Sequence, residues 1–226
     1  MQIHSRMVCG MMLAVLLLCP AKAVSQWRVG ASAGADYNWY LIDKQYQTDY
    51  HYTGAWGWSA AVFGQYNFMP WLGLRAELEV IERGYRLYRT GVYAGTDYTT
   101  RNTYVQLPVM TQFSFGGQKV RGFVNLGVYA GYWAAGRQKG SFYDSMNCLV
   151  LPVDDAYRFQ KEKDQRADFG LAGGLGIEYR FLEHWAAHVE ARCYYSLIST
   201  VKPYMRVSDN RYNTTLGLQA GFSYIF

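Results

Sequence analysis

The chain ends Tyr212-Asn213-Thr214-Thr215-Leu216-Gly217-Leu218-Gln219-Ala220-Gly221-Phe222-Ser223-Tyr224-Ile225-Phe226, and this stretch alternates. Leu216, Leu218, Ala220, Phe222, Tyr224 and Phe226 fall on one face, and Asn213, Thr215, Gly217, Gln219, Gly221 and Ser223 on the other. A period of two residues is that of a β-strand, whose successive side chains point to opposite sides. The apolar face carries no charge and finishes on aromatic residues, as a strand does where it meets a membrane interface.

Working outward from the closing strand, the same period recurs seven times, at residues 27–39, 56–67, 72–83, 103–113, 120–134, 168–181 and 185–195. The third of these eight strands separates its faces most cleanly. Leu72, Leu74, Ala76, Leu78 and Val80 alternate with Gly73, Arg75, Glu77, Glu79 and Ile81, and Arg83 continues the second set. Pro108 sits awkwardly in the fourth strand, because proline donates no ladder hydrogen bond and a closed sheet has no edge for it, so a bulge or local distortion is expected there. Polar connections at about 40–53, 86–100, 136–165 and 198–211 alternate with short turns near Pro70, Gly116-Gly117-Gln118 and Leu182-Glu183-His184.

Eight strands joined by alternately long and short connections predict an all-β fold: an eight-stranded antiparallel up-and-down transmembrane β-barrel with short periplasmic turns and four longer extracellular loops. A soluble sandwich would alternate too, but its apolar face would turn inward and would not need Trp and Tyr at both strand ends. Residues 1–25 carry Arg6, an apolar run from Met11 to Leu18, and small residues at Ala21, Ala23 and Ser25, the pattern of a cleaved secretory signal peptide. Residues 26–226 then form one barrel domain in the bacterial outer membrane. Cleavage leaves 20 basic against 17 acidic residues, a mature charge of about +3 that gives no reason to expect nucleic acid. Only Cys148 and Cys193 remain, too few for a disulfide scaffold or metal cluster, and both are expected as free thiols. No cofactor or metal is expected.

The sharpest constellation is the charged set on the inner faces. By depth from the short turns, Arg75, Arg121, Glu178, Arg180 and His188 should lie low in the lumen, and Glu77, Glu79, Glu190 and Arg192 near its middle. Eight strands leave an interior just wide enough for side chains, so such charges must neutralise one another. Arg192 is expected to pair with Glu77 or Glu79, closing the lumen with a charged plug. His51 lies in an outer loop, near Asp43 and Asp49 in sequence, His184 in a turn, and His188 points into the low lumen; none suggests a catalytic centre. Tyr40, Tyr46, Tyr50, Tyr52, Tyr88, Tyr93, Tyr98, Tyr143, Tyr157, Tyr204 and Tyr212 enrich the outer loops in a residue favoured at recognition surfaces.

Four segments carry a family resemblance: Tyr104-Val105-Gln106-Leu107-Pro108-Val109, Asn125-Leu126-Gly127-Val128-Tyr129-Ala130-Gly131-Tyr132, Asp168-Phe169-Gly170-Leu171-Ala172-Gly173-Gly174-Leu175-Gly176, and Gly221-Phe222-Ser223-Tyr224-Ile225-Phe226. Together they make the chain resemble the small outer-membrane β-barrel proteins of Bacteroidota, the PorT-like and related families. The resemblance implies that Phe226 is part of the signal read by the barrel-assembly machinery, and that the protein could serve a secretion-related envelope complex. The partners expected are outer-membrane lipid and lipopolysaccharide, the assembly machinery, and a protein or glycan at the loops. A structural or interaction module is the first reading; a transport-related pore is the alternative, and a lipid-modifying enzyme or protease a distant one.

Overall fold

The computed structural model describes residues 26–42, 49–202 and 210–226. Residues 1–25, where a signal peptide is expected, and Asp43, Tyr46 and Tyr204 lie outside the described residues. Nine strands follow in chain order: β1 (Gln26–Ile42), β2 (Tyr50–Met69), β3 (Leu72–Arg89), β4 (Asp97–Gly116), β5 (Val120–Asp144), β6 (Leu149–Ala156), β7 (Ala167–Arg180), β8 (Trp185–Ser196) and β9 (Arg211–Ile225). All pairings are antiparallel, and β1 pairs with both β2 and β9, so eight of the strands close into a ring with β5 bonded to β4 and β7. The ninth, β6, lies outside the ring, paired with the far end of β5 from Arg137↔Ala156 to Asp144↔Leu149.

Alternation decides which side each residue takes. In β9, Leu216, Leu218 and Phe222 are exposed on the outer wall while Thr215, Gln219 and Ser223 are buried in the lumen. Outward aromatics recur ten residues apart, at Trp27 and Tyr37, Phe169 and Tyr179, and Trp185 and Tyr195. Ten residues rise about 33 Å along a strand, or about 23 Å along the normal at a 45° tilt, which matches the apolar band of an outer-membrane barrel. Two aromatic girdles thus bracket one hydrocarbon thickness. Among the described residues no helix is long and apolar enough to cross a membrane. The wall crosses by strands instead, and closure leaves no lipid-exposed edge.

Two expectations need correcting. The long connections are not plain loops: β3 runs to Arg89, β4 starts at Asp97, and β5 continues to Asp144 before turning into β6. Above the upper girdle the backbone no longer needs a lipid-facing pattern, so strands persist there without the periodicity that marks them below. Pro108 causes no bulge, and the distortion expected there is confined to a gap in the β3 and β4 ladder, where Glu77 and Leu78 have no paired partner opposite Pro108 and Leu107. The register of Pro108 with Tyr129 on β5 is regular, and the β3 ladder merely skips from Ala76↔Val109 to Glu79↔Gln106 without shifting. The register shift in the β4 and β5 pair falls instead between Thr103 and Tyr104.

Lumen glycines make room for rings. A methyl group at Gly30 would strike the Phe63 ring, and one at Gly176 the Phe123 ring, each glycine lying directly across the ladder from the aromatic that covers it. Phe63 and Phe123 in turn hold the His188 ring edge-on, with centroids 5.5 and 6.3 Å away.

Candidate functional site: a charged lumen beneath extended hairpins

Inward-facing positions of β3 and β8 meet at mid-barrel as a ring of alternating charge. Arg192 of β8 donates two hydrogen bonds to Glu77 of β3, at 2.5 and 3.0 Å, and two to Glu190, at 2.6 and 3.1 Å. Arg75 lies 2.6 Å from Glu77 and 3.6 Å from Glu190, with its guanidinium 3.7 Å from the Phe63 ring centre. Asn125 of β5 donates to Glu190 at 2.9 Å. All four ionic groups are almost wholly buried, so each relies on the others for the solvation it has lost. Glu79 stands just above and is met by neutral donors: Gln106 Nε2 at 2.6 Å, Gln219 Nε2 at 2.7 Å and the Tyr194 hydroxyl at 2.5 Å.

A second cluster closes the upper lumen. Arg83 donates to Asp168 at 2.5 Å and to Gln106 at 2.8 Å, while the Tyr129 and Ser196 hydroxyls also donate to Asp168. Over this cluster Trp133 stacks on Tyr157 with centroids 5.0 Å apart, Phe159 meets both rings, and Asp164 accepts from the Tyr157 hydroxyl at 3.1 Å and from the Gln160 amide at 2.8 Å. The cap is tied across the mouth by the bridge between Asp164 and Val201. Lower down, Arg28 donates to Glu178 at 2.6 Å.

The structure therefore brings Arg75, Glu77, Glu190 and Arg192 together, sets Glu79 and Glu178 beside other partners, and leaves Arg121 and Arg180 only half-buried near the short turns. Arg121 bonds the Pro70 carbonyl instead of an acid. Sequence reasoning placed Arg83 on the charged face of its strand without giving it a partner, and did not single out Arg28, Asp36 or Asp168, nor the inward rings of Tyr104, Tyr129 and Tyr194. Parity was the signal that could have found them, since each keeps the two-residue step of the inward face of its own strand.

The tyrosines of the outer connections divide. Tyr40 turns inward, its ring 4.7 Å from that of Tyr85 and its hydroxyl accepting from Asn102 at 3.4 Å, and Tyr157 belongs to the cap. Tyr50 and Tyr93 flank the Arg89 guanidinium at 4.1 and 3.8 Å, Tyr52 contacts Tyr85, and Tyr98 and Tyr143 are half-buried on the hairpins. His51 lies on β2, not in a loop, stacked on Tyr88 at 4.9 Å with Nε2 3.4 Å from the Thr90 hydroxyl. His184 Nδ1 donates to the Ile225 carbonyl at 2.8 Å. Cys148 and Cys193 are free and exposed. Phe226 is exposed at the short-turn end, its amide bonded to the Trp27 carbonyl. Among the described residues no group of three or more His, Cys, Asp or Glu is placed to hold a metal ion.

At the tip of the β3 and β4 hairpin Arg86 grips Asp97 through two hydrogen bonds of 2.8 and 2.5 Å, and the bond holds the Asp97 carboxyl below its ordinary range. Because the folded value is the lower one, the pair supports the hairpin fully above the unfolded carboxylate value of about 3.9 and is lost as pH falls through the folded value. Arg86→Gln should return Asp97 toward the ordinary range in a carboxylate NMR titration. An unmoved titration would show that the pair does not persist in solution.

A closed antiparallel ring with an apolar outer band, two aromatic girdles and a polar side-chain-filled interior is a small transmembrane β-barrel of the bacterial outer-membrane class. The chain belongs to the family described as outer membrane protein beta-barrel domain, which matches residues 17–202. Among solved structures it is similar to the outer membrane protein OprG from Pseudomonas aeruginosa, at 17% identity and a TM-score of 0.53, covering 91% of this chain and 97% of that one. It is similar also to Ail of Yersinia pestis, at 16% identity and a TM-score of 0.43 over 88% of this chain and 98% of that one. Neisserial surface protein A gives 16% identity and a TM-score of 0.42 over 88% and 96%. No curated protein matches it. The protein is thus an outer-membrane β-barrel protein.

Proposed function

We propose that this barrel is a closed scaffold that displays its extended hairpins outside the cell to a protein or glycan partner. The observation that carries the reading is the contrast between the two ends of β5. Its lower half helps seal the lumen around Glu190, whereas its upper half, with β6, carries exposed Phe142, Met146, Leu149, Val150 and Leu151 beyond the girdle. A cluster of exposed apolar side chains that lipid cannot cover has the character of an interaction surface. Short turns and both strand termini at one end place that end in the periplasm, with the hairpins outside. Export by a cleaved signal peptide, recognition of Phe226 during assembly, and membership of a PorT-like, secretion-related Bacteroidota complex belong to the same proposal; the four sequence segments named above support the last of these.

Planar-bilayer recording of the purified protein should show no stable conductance, because the Arg75, Glu77, Glu190 and Arg192 ring lies under a second, aromatic closure. A photoreactive residue at Leu151 should crosslink a partner in native outer membrane, and shortening the β5 and β6 hairpin should abolish that product. Steady single-channel steps or solute flux in liposomes would replace this reading with the transport one.

A further inference from the structure

On the outer wall of β4 and β5, just above the upper girdle, cations stand in direct opposition. Arg101 pairs across the ladder with Arg137, and Thr99 with Lys139, so that two like charges face each other and a third follows two residues on. Like charges directly opposite in a sheet repel. The nearby acids compensate them incompletely: Asp154 accepts from Arg137 at 2.7 Å and Glu82 lies 3.8 Å from Arg101, while Lys139 makes no ion pair within 4 Å among the described residues. Thr99, Arg101, Arg137 and Lys139 line an open cleft of about 360 Å³.

Height is the second observation. Val105 pairs with Tyr132 at the upper girdle, and Arg101 lies four residues above Val105 on the same outward face. Four residues rise about 13 Å along the strand, or about 9 Å along the normal at a 45° tilt, which is where the hydrocarbon has ended and the polar headgroups begin. Directly beneath the cleft the wall is greasy, with Val105, Leu107, Val128 and Tyr132 all exposed. Cations above acyl-contacting side chains on one strip of wall are complementary to an amphiphile whose phosphate sits at the top of its hydrocarbon. Guanidinium forks bind phosphate oxygens in pairs, and a phosphate between Arg101 and Arg137 would convert their repulsion into attraction.

We propose that the Thr99, Arg101, Arg137 and Lys139 cleft binds the phosphate of an outer-leaflet phosphoglycolipid of the lipid A type, with its acyl chains lying along Val105, Leu107 and Val128. The site rests on the membrane placement adopted above and not on any partner of the hairpins; protease access to the β5 and β6 hairpin in intact cells tests that placement separately.

The full barrel is reconstituted in nanodiscs containing lipid A, and native mass spectrometry counts the lipid A retained. A single lipid should stay with the wild-type protein. The R101Q/R137Q/K139Q variant, whose changes are all on exposed side chains, should retain it about tenfold less, as should wild-type protein offered lipid A without phosphates. K119Q, a charge change at the opposite end of the barrel, should retain it fully, and heat-dependent gel mobility should show every variant folded. Equal retention by the triple variant, or of the phosphate-free lipid, would overturn the proposal. Displacement of the lipid by millimolar inorganic phosphate alone would likewise overturn it, by assigning the cleft to a free anion.

Discussion

Arg192→Met should lower the unfolding free energy of the barrel by about 3–5 kcal/mol, the range for removing one partner of a buried ionic cluster. Arg192 supplies four of the charge-assisted hydrogen bonds at mid-lumen, two to Glu77 and two to Glu190, and a fifth contact to the Tyr194 hydroxyl at 3.2 Å. Its loss would leave two buried carboxylates sharing Arg75 alone. The cost comes from those stranded charges and not from lost attraction as such, which a second substitution separates. Arg192→Met with Glu77→Gln restores one acid to one base, Glu190 with Arg75, and should recover at least half of the loss. Urea unfolding in detergent micelles, followed by tryptophan fluorescence and heat-dependent gel mobility, measures both. A single substitution costing less than about 1 kcal/mol would mean that water reaches these groups and the lumen is not closed.

Much of this was legible in the chain because the membrane imposes a strict code. Every outward residue between girdles must be apolar and every inward one must fill or neutralise, so Leu218 and Gln219 declare their faces by type alone. The pairing of Arg192 with Glu77 could be anticipated for a related reason, since opposite charges at one depth in a narrow tube seek each other; Arg75, expected lower in the lumen, joins them because its long side chain reaches up to Glu77 and Glu190. Where the code lapses, legibility lapses with it. The upper half of β5 and all of β6 have no hydrocarbon against either face, so residues 136–156 show no period of two and read as a loop. Asp164 and Phe159 close the mouth from a stretch with no regular structure, where spacing carries no positional meaning. Tyr40 looked like a surface aromatic because it opens the polar, Tyr-rich connection at about 40–53. Its strand parity, shared with Asp36 and Asn38, points it inward against Tyr85.

The cationic strip of β4 and β5 shows the same limit from the other side. Arg101, Arg137 and Lys139 are ordinary solvent-facing charges when read along the chain, and only the register between two strands sets Arg101 opposite Arg137. That register depends on the single-residue shift between Thr103 and Tyr104, because without it the two arginines would be offset and point to opposite faces of the sheet. A bulge at the membrane rim, invisible in composition, is what aligns the cations.

A pair of matched substitutions tests the embedding of the wall itself. Val189 and Val120 are similarly exposed, at 50% and 54%, and both point outward. They differ in depth. Val189 lies between Trp185 and Tyr195 and pairs with Ile177 and Ala220, close to the middle of the apolar band, whereas Val120 starts β5 opposite Tyr179 in the lower girdle. Val189→Arg should therefore cost about 2–4 kcal/mol when the barrel is unfolded from lipid vesicles, and Val120→Arg about 0–1. Both differences should shrink in detergent micelles, whose thin apolar shell lets an arginine reach water from either site. A soluble barrel would tolerate both changes alike, since an exposed valine facing water loses little on becoming arginine. Equal costs at the two depths would place the band elsewhere on the wall, and with it the height of the cationic cleft relative to the lipid phosphates.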